Sequence, residues 1–291
     1  MRESAVLSAP AKLNLALHVT GRRADGYHLL ETLAVFTEFG DRIKISPAER
    51  DALALTGPYA DGLALDASNL VVRARDRLRD AFPDTVLPPI LIELEKNLPI
   101  ASGIGGGSSD AATALRGLAR FWNLAVEAGE LADIAAPLGA DLPMCLAARP
   151  LLARGTGEAL EPLSGWPALD LVLVNPGVPV ATAAVFAGLA RRDNAALPPL
   201  PPARDLGSIL GWLGQTRNDL EAPARALAPG IADAIAALQA TGAVFSRMSG
   251  SGATCFGLHA SAKAARLAAD AIRAAHPGWF VTATRAMASE S

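Results

Sequence analysis

"LPIASGIGGGSSDAATALRGLARFW", residues 98–122, places four glycines between Gly103 and Gly107, then two serines, then an amphipathic run. Upstream, "ILIELEKNLP" reads as a strand. Downstream, Ala111, Leu115, Leu118 and Trp122 recur at the spacing of one helical face. A flexible linker does not sit between a strand and a strongly periodic helix. Two familiar phosphate-binding patterns also fail. The dinucleotide fingerprint needs a glycine where Ser108 stands, and the Walker pattern needs a lysine directly after the glycines.

What survives is the physics such loops share. Glycines let a ligand approach the main chain, and successive amides form an anion nest. A helix starting near Ser108 adds free N–H groups and its positive dipole end. Ser108 and Ser109 add hydroxyls for phosphate oxygens or a Mg²⁺ ion, and Asp110 reads as an acidic first-turn residue steadying the helix. A loop of this kind suits a nucleoside triphosphate and points to phosphoryl transfer.

Composition narrows the rest. Of 291 residues, 51% are hydrophobic and 19% charged, so the chain has the material for packed domains. A net charge of −3 argues against a nucleic-acid surface. Cys145 and Cys255 lie in apolar stretches and read as buried thiols; no metal spacing exists. The N-terminal run lacks an apolar signal core and carries Lys12 in its middle, and no apolar run is long enough to span a bilayer. A reducing cytoplasm is expected.

Along the chain, residues 5–19 read as a strand, "LETLAVFTEF", "DRIKIS" and "ALALTG" as further strands, and 69–82 as a helix capped by Ser68 or Asn69. Helices are expected in "GELADIAAPLG", "TAAVFAGLARR", "GIADAIAALQATG" and 261–275, and strands in "ALDLVLVNPG" and "AVFSRMSG". Residues 194–206 form a proline-rich loop. The alternation suggests two α+β layers with a boundary near 160–168, giving domains 1–164 and 165–291.

Several residues stand out by context. Asp141, in "LGADLPMCL", is either a turn or cap residue or a buried base. Lys12, one of only four lysines, sits in an apolar strand, where a cation either snorkels or finds an anion. Asn14 lies two residues on, on the same strand face. "GYH" at 26–28, Phe186 and Thr182 are otherwise unremarkable, Phe186 reading as core. Asn69 doubles as a helix cap. "RNDLE", 217–221, has no evident local role.

"PIASGIGGGSSDAA" resembles the central motif of the GHMP kinases, the family of galactokinase, homoserine kinase, mevalonate kinase and phosphomevalonate kinase. "PAKLNLALHV" (10–19) resembles its N-terminal motif and "MSGSGATCFGL" (248–258) its C-terminal glycine motif, in the right order. "ADGYHLLET", "GADLP", "NPG" and "RNDLE" resemble the branch that phosphorylates the 2-hydroxyl of a cytidine-diphosphate sugar alcohol in non-mevalonate isoprenoid synthesis. Departures are small: Ala101-Ser102 and Ile104 replace commoner choices without removing a functional group.

The resemblance implies an α+β architecture, with an N-terminal α/β domain carrying the phosphate loop and a ferredoxin-like C-terminal domain. It implies an ATP- and Mg²⁺-dependent kinase, with Mg²⁺ held mainly through ATP. Asp141 becomes the catalytic base and Lys12 its cationic partner, with Asn14 orienting the acceptor hydroxyl. Tyr27, His28 and Phe186 would sandwich and read the cytosine, and Thr182 would meet the diphosphate or ribose. Asn69 and Lys96 fall near the adenine. Pro99, Gly103, Gly105, Gly106, Gly107, Ser108 and Ser109 line the phosphates, and Gly250 and Gly252 form a turn beside them or a purely structural one. A monomer or weak homodimer is expected. Competing readings are a homoserine- or mevalonate-type kinase and a non-catalytic nucleotide or sugar sensor.

Overall fold

The protein is described by a computed structural model covering residues 5–289, so the first four residues of the N-terminal run lie outside the described residues. The chain divides into two compact units. The first takes residues 1–11, 40–100 and 105–148; the second takes 12–39, 101–104 and 149–291. This partition does not follow a single cut at 164/165. Two long strands, β1 (Ala5–Arg22) and β2 (His28–Pro47), each contribute residues to both units.

In the first unit β4 (Ile90–Glu95) is the middle strand. It runs antiparallel to the end of β2 (Arg42↔Glu95 to Pro47↔Ile90) and parallel to β3 (Ala52–Thr56). Ile90, Ile92 and Leu94 alternate inward and are buried. Against them pack α1 (Leu70–Ala81) and α2 (Gly106–Phe121), followed by α3 (Ala128–Ala135), a 3₁₀ turn over Ala136–Leu138, and α4 (Leu142–Ala147). The inward stripe of α2, Ala111, Leu115, Leu118 and Trp122, is the one its periodicity predicts. Trp122 anchors it by donating to the Pro88 carbonyl at 3.1 Å, with the Arg79 guanidinium 4.6 Å over its ring. Asn69 caps α1, its side chain accepting the Val71 N–H at 2.9 Å.

The second unit contains β5 (Leu151–Gly155), β6 (Ala159–Pro162), β7 (Leu169–Asn175), α5 (Thr182–Ala187), α6 (Leu206–Leu213), α7 (Glu221–Leu227) and α8 (Gly230–Ala240). It continues with β8 (Phe245–Met248), β9 (Cys255–Leu258), α9 (Ala262–Ala275) and β10 (Phe280–Ala286). Four strands stand in the antiparallel order β10-β7-β9-β8, with Val172 and Val174 of β7 buried against Ala234 and Leu238 of α8 and Ala265, Ala269 and Ile272 of α9. The first half of β2 pairs with β1 and with β5. This is the α+β layer expected of the C-terminal half. Cys145 and Cys255 are buried thiols, as expected, and form no disulfide among the described residues.

Three local readings needed correction. "LETLAVFTEF" and "DRIKIS" are one continuous 20-residue strand. Gly40 looks like a turn but is where β2 crosses the backbone of β1; a Cβ there would sit 2.1 Å from the Ala9 carbonyl oxygen. α2 begins at Gly106, not near Ser108. Asp110 therefore lies in its second turn, and no acidic residue occupies the first.

Candidate active site

The glycine loop ends in an uncapped helix. Gly105, at φ 64°, is the N-cap of α2, and no side chain caps it. The first intrahelical bond runs from the Ser109 N–H to the Gly105 carbonyl at 2.8 Å. The amides of Gly106, Gly107 and Ser108 therefore precede the helical ladder. A Cβ on Gly107 would meet only Leu70, at 3.6 Å. Ser109 is completely buried, and its Oγ has no hydrogen-bond partner among the described residues. Three amide donors and a helix dipole end come together at the head of α2, an arrangement that receives an oxyanion.

Directly beneath lies a buried ion cluster. Lys96 Nζ donates to Asp41 Oδ2 and to Asp110 Oδ2, the latter at 2.8 Å, and all three side chains are at most 3% exposed. Asp41 Oδ1 also accepts the Leu98 N–H at 2.8 Å. A Cβ on Gly106 would come 3.1 Å from Lys96 Nζ, so the first residue of α2 rests on the ammonium. Burial works against the Lys96 charge, but Asp110 and Asp41 outweigh it and raise its pKa. The Asp110 pKa is raised by burial first and by Asp41, against the pull of Lys96. The Lys96 ammonium, set near an adenine by the family resemblance, is bound to two carboxylates, and one of them is Asp110, which the sequence had placed at the helix dipole. Likewise the Asn69 amide is used locally, capping α1 and donating to the Ala64 carbonyl at 2.8 Å.

Residues 101–104, leading into the loop, belong to the second unit. Lys12 N–H donates to the Ile104 carbonyl (2.9 Å) and Thr254 N–H to the Ser102 carbonyl (3.0 Å). Ser249 Oγ lies 3.2 Å from the Gly103 carbonyl. Gly103, at φ 74°, packs backbone to backbone on the turn 249–252; a Cβ would stand 2.6 Å from the Gly252 oxygen and 2.7 Å from the Ser249 oxygen. Gly250 and Gly252, also at positive φ, complete that turn.

Asn14 is 2% exposed. Its N–H donates to Ser249 Oγ (3.0 Å), and its Nδ2 to Thr32 Oγ1 (2.8 Å), which in turn donates to the Ala16 carbonyl. Its Oδ1 is buried against Gly250 with no hydrogen-bond partner among the described residues. Sequence reading missed Thr32 and Ser249, whose partners lie far away along the chain. It also had no account of "RNDLE", whose role is now plain. Asn218 Nδ2 donates to the carbonyls of Met248 (2.9 Å) and Gly250 (2.8 Å), and its Oδ1 accepts the Leu220 N–H. Leu17 N–H donates to the Arg217 carbonyl, Asp219 N–H to the Leu17 carbonyl, and Val19 N–H to Asp219 Oδ2. The segment clamps β1 to the glycine turn.

Lys12 is 4% exposed on β1, two residues from Asn14. Asp141 occupies the N-cap position of α4, half-buried, but makes no capping bond to that helix. Of the alternatives its sequence left open, a capping carboxylate is thus excluded. His28 stacks on Phe186, with centroids 4.7 Å apart and planes at 27°, and its Nε2 is buried with no hydrogen-bond partner among the described residues. Burial, then Arg22 and Arg192, lowers the His28 pKa and keeps the ring neutral. Tyr27 is 65% exposed in the preceding turn. Phe186 is half-buried, packing against the core of the second unit while it stacks on His28, and Thr182 Oγ1 lies 2.8 Å from Ser251 Oγ of the glycine turn.

The descriptions "GHMP kinases N terminal domain" and "GHMP kinases C terminal" match residues 69–149 and 200–278. The chain belongs to the GHMP kinases, a family of small-molecule kinases that use ATP as phosphate donor. Within it, the chain is 59% identical to the 4-diphosphocytidyl-2-C-methyl-D-erythritol kinase of Mesorhizobium japonicum, over 97% of this chain and 96% of that one. It is 54% identical to the enzyme of the same name from a Chelativorans strain, over 97% and 96%. A crystal structure of 4-(cytidine 5'-diphospho)-2C-methyl-D-erythritol kinase superposes with a TM-score of 0.78 at 35% identity, covering 97% of this chain and 100% of that one. No helix among the described residues is long and apolar enough to cross a membrane.

Proposed function

We propose that the protein transfers the γ-phosphoryl group of ATP to the 2-hydroxyl of 4-diphosphocytidyl-2-C-methyl-D-erythritol, in non-mevalonate isoprenoid precursor synthesis. The observation that carries the choice of acceptor is the full-length identity, 59% and 54%, to relatives bearing that enzyme's name. For the phosphoryl donor, the uncapped start of α2 with the partnerless Ser109 hydroxyl supports the reading.

In this mechanism the amides of Gly106, Gly107 and Ser108 and the Ser109 hydroxyl hold triphosphate oxygens. Among the described residues no cluster of three or more His, Cys, Asp or Glu could hold a metal ion. A serine hydroxyl beside triphosphate oxygens does fit Mg²⁺, which favours hard oxygen ligands and retains water. Bound there, Mg²⁺ supplies charge neutralisation. Transfer forms a bond from the acceptor oxygen to the γ-phosphorus and breaks the bond to the bridging oxygen of ADP. The acceptor proton goes to the Asp141 carboxylate, which orients the hydroxyl before it accepts. The Lys12 ammonium stabilises charge developing in the transfer. The Asn14 amide is fixed by Thr32, so its Oδ1 can accept from an acceptor hydroxyl. At the cytidine end, the His28–Phe186 pair offers a stacking surface and a ring nitrogen for the base edge, with Tyr27 close by in sequence.

ATP consumption measured with the cytidine-diphosphate acceptor, with homoserine and with mevalonate should show turnover with the first alone. No turnover with it would sink the proposal. Asp141→Asn should lower kcat by about 10²–10⁴-fold while the KM for ATP stays within about twofold. A near-normal kcat in that variant would remove Asp141 from the chemistry.

A further inference from the structure

The phosphate loop and Asp141 are carried by two different helices, α2 and α4, of the same compact unit. α4 has only six residues, and Asp141 at its N-cap position contributes no capping bond to it. Its other end is gripped from outside. Arg116, in the third turn of α2, donates through Nη1 to the carbonyls of Cys145 and Leu146, both at 2.8 Å. These are orphan carbonyls of the last turn of α4, where a cation is also favoured by the helix dipole. Through Nη2 the same guanidinium donates to Thr113 Oγ1 at 3.0 Å, one turn back on α2, which locks its rotamer. Burial lowers the Arg116 pKa, as expected of a guanidinium packed between two helices and bonded to carbonyls rather than a carboxylate.

We infer that Arg116 is a positioning residue for the transfer, fixing α4, and so Asp141, relative to the phosphate loop at the head of α2. The inference rests on the proposed role of Asp141. The amides of Gly106–Ser108 and the carboxylate of Asp141 belong to one compact unit, in which Leu142 packs in the same core as the inward face of α2 and the Arg116 guanidinium, ten residues along that helix, ties down the last turn of α4. Arg116 itself touches neither ATP nor acceptor. A buried arginine kept solely for stability would act on folding and leave the per-molecule rate alone. One that sets the reach of a base acts on kcat, because displacement of a reacting group by about 1 Å can cost about a hundredfold.

The test is a double-variant cycle of Arg116→Met and Asp141→Asn, read by single-turnover rates at enzyme excess, with melting temperatures recorded for each protein. Arg116→Met should lower the transfer rate by about ten- to a hundredfold with the KM for ATP within about twofold. In the Asp141→Asn background the same change should cost less than about twofold, since the group it positions is already disabled. Arg116→Lys, which reaches one carbonyl at a time, should recover part of the rate. Should Arg116→Met fail to fold, Arg116→Lys carries the same cycle with a smaller loss. Equal losses in both backgrounds, or a raised KM for ATP with an unchanged rate, overturn the inference while leaving Asp141 as base. A normal rate in Asp141→Asn alone overturns the base assignment, and with it this inference.

Discussion

Two glycine-serine stretches of nearly the same composition, "GIGGGSS" at 103–109 and "SGSG" at 249–252, are used in opposite ways. From Gly105 to Ser109 the first is open: the α2 amides lack a cap, a Cβ on Gly107 would meet only ordinary contact, and the Ser109 hydroxyl has no partner. The second is closed. Its Ser249 hydroxyl is used by Asn14 and Gly103, two of its carbonyls lie within 2.7 Å of where a Gly103 Cβ would stand, and Asn218 holds the Gly250 carbonyl. Glycine in the first stretch leaves open space, which the proposed function assigns to ATP; in the second it makes room for another backbone. Gly103 belongs with the second despite standing in the first, and so is a packing glycine next to glycines proposed to meet a ligand.

The sharpest way to break this distinction is Gly103→Ala. Positive φ and backbone atoms at 2.6–2.7 Å leave a Cβ nowhere to go. The loss of stability should be about 3–5 kcal/mol, read by chemical denaturation. Gly107→Ala should be neutral to folding and raise the KM for ATP instead. If the two variants behave alike, the division between packing and ligand glycines fails.

Next in size is Asn218→Ala, which leaves two carbonyls and one amide of the clamp without their partner. It should destabilise by about 2–3 kcal/mol. ATP affinity should be little changed, because the phosphate loop keeps its own supports: Gly106 still rests on Lys96 between Asp41 and Asp110. Ser109→Ala reverses the pattern. Removing a buried, partnerless hydroxyl should leave stability unchanged or improve it by about 1 kcal/mol, while the KM for ATP rises about tenfold. A destabilised Ser109→Ala with normal ATP use would mean the hydroxyl serves the fold.

What the sequence could and could not reveal follows from the reach of each interaction. The Asn69 cap and the inward face of α2 depend on neighbours a few residues away, and these were legible. The helix start after the glycine loop was legible because glycines and serines followed by a periodic apolar run announce it locally. The division of labour within the loop was not, since Gly103 is constrained by residues 249–252. Lys96 shows the same limit: its two carboxylates come from β2 and α2, and no spacing announces a cluster assembled from three places. "RNDLE" was opaque because nearly everything it holds lies some thirty or two hundred residues away.

The smallest expected effect separates the units by pH. All four histidines, His18, His28, His259 and His276, lie in the second unit, and none in the first. His18, His28 and His259 have pKa values lowered mainly by burial. His259 has neither ring nitrogen bonded among the described residues, and His18 Nε2 accepts the Arg217 N–H, which a protonated ring cannot do. A lowered folded-state pKa means the unfolded chain binds the proton first. The stabilisation is therefore fully present above the unfolded value near 6.5, and is lost as pH falls through the window towards the folded pKa values. Melting followed from pH 7.5 down to about 5.5 should show the second unit losing stability in that window. In His259→Phe, which keeps the buried ring and removes the titration, the loss should be smaller. Hydrogen exchange resolves the units separately: amides of β7 and β9 should weaken with acid across this range, and those of β4 should not. A matching loss in β4 would show that the acid response originates in carboxylates common to the chain, and would erase the contrast between a histidine-bearing unit and one without.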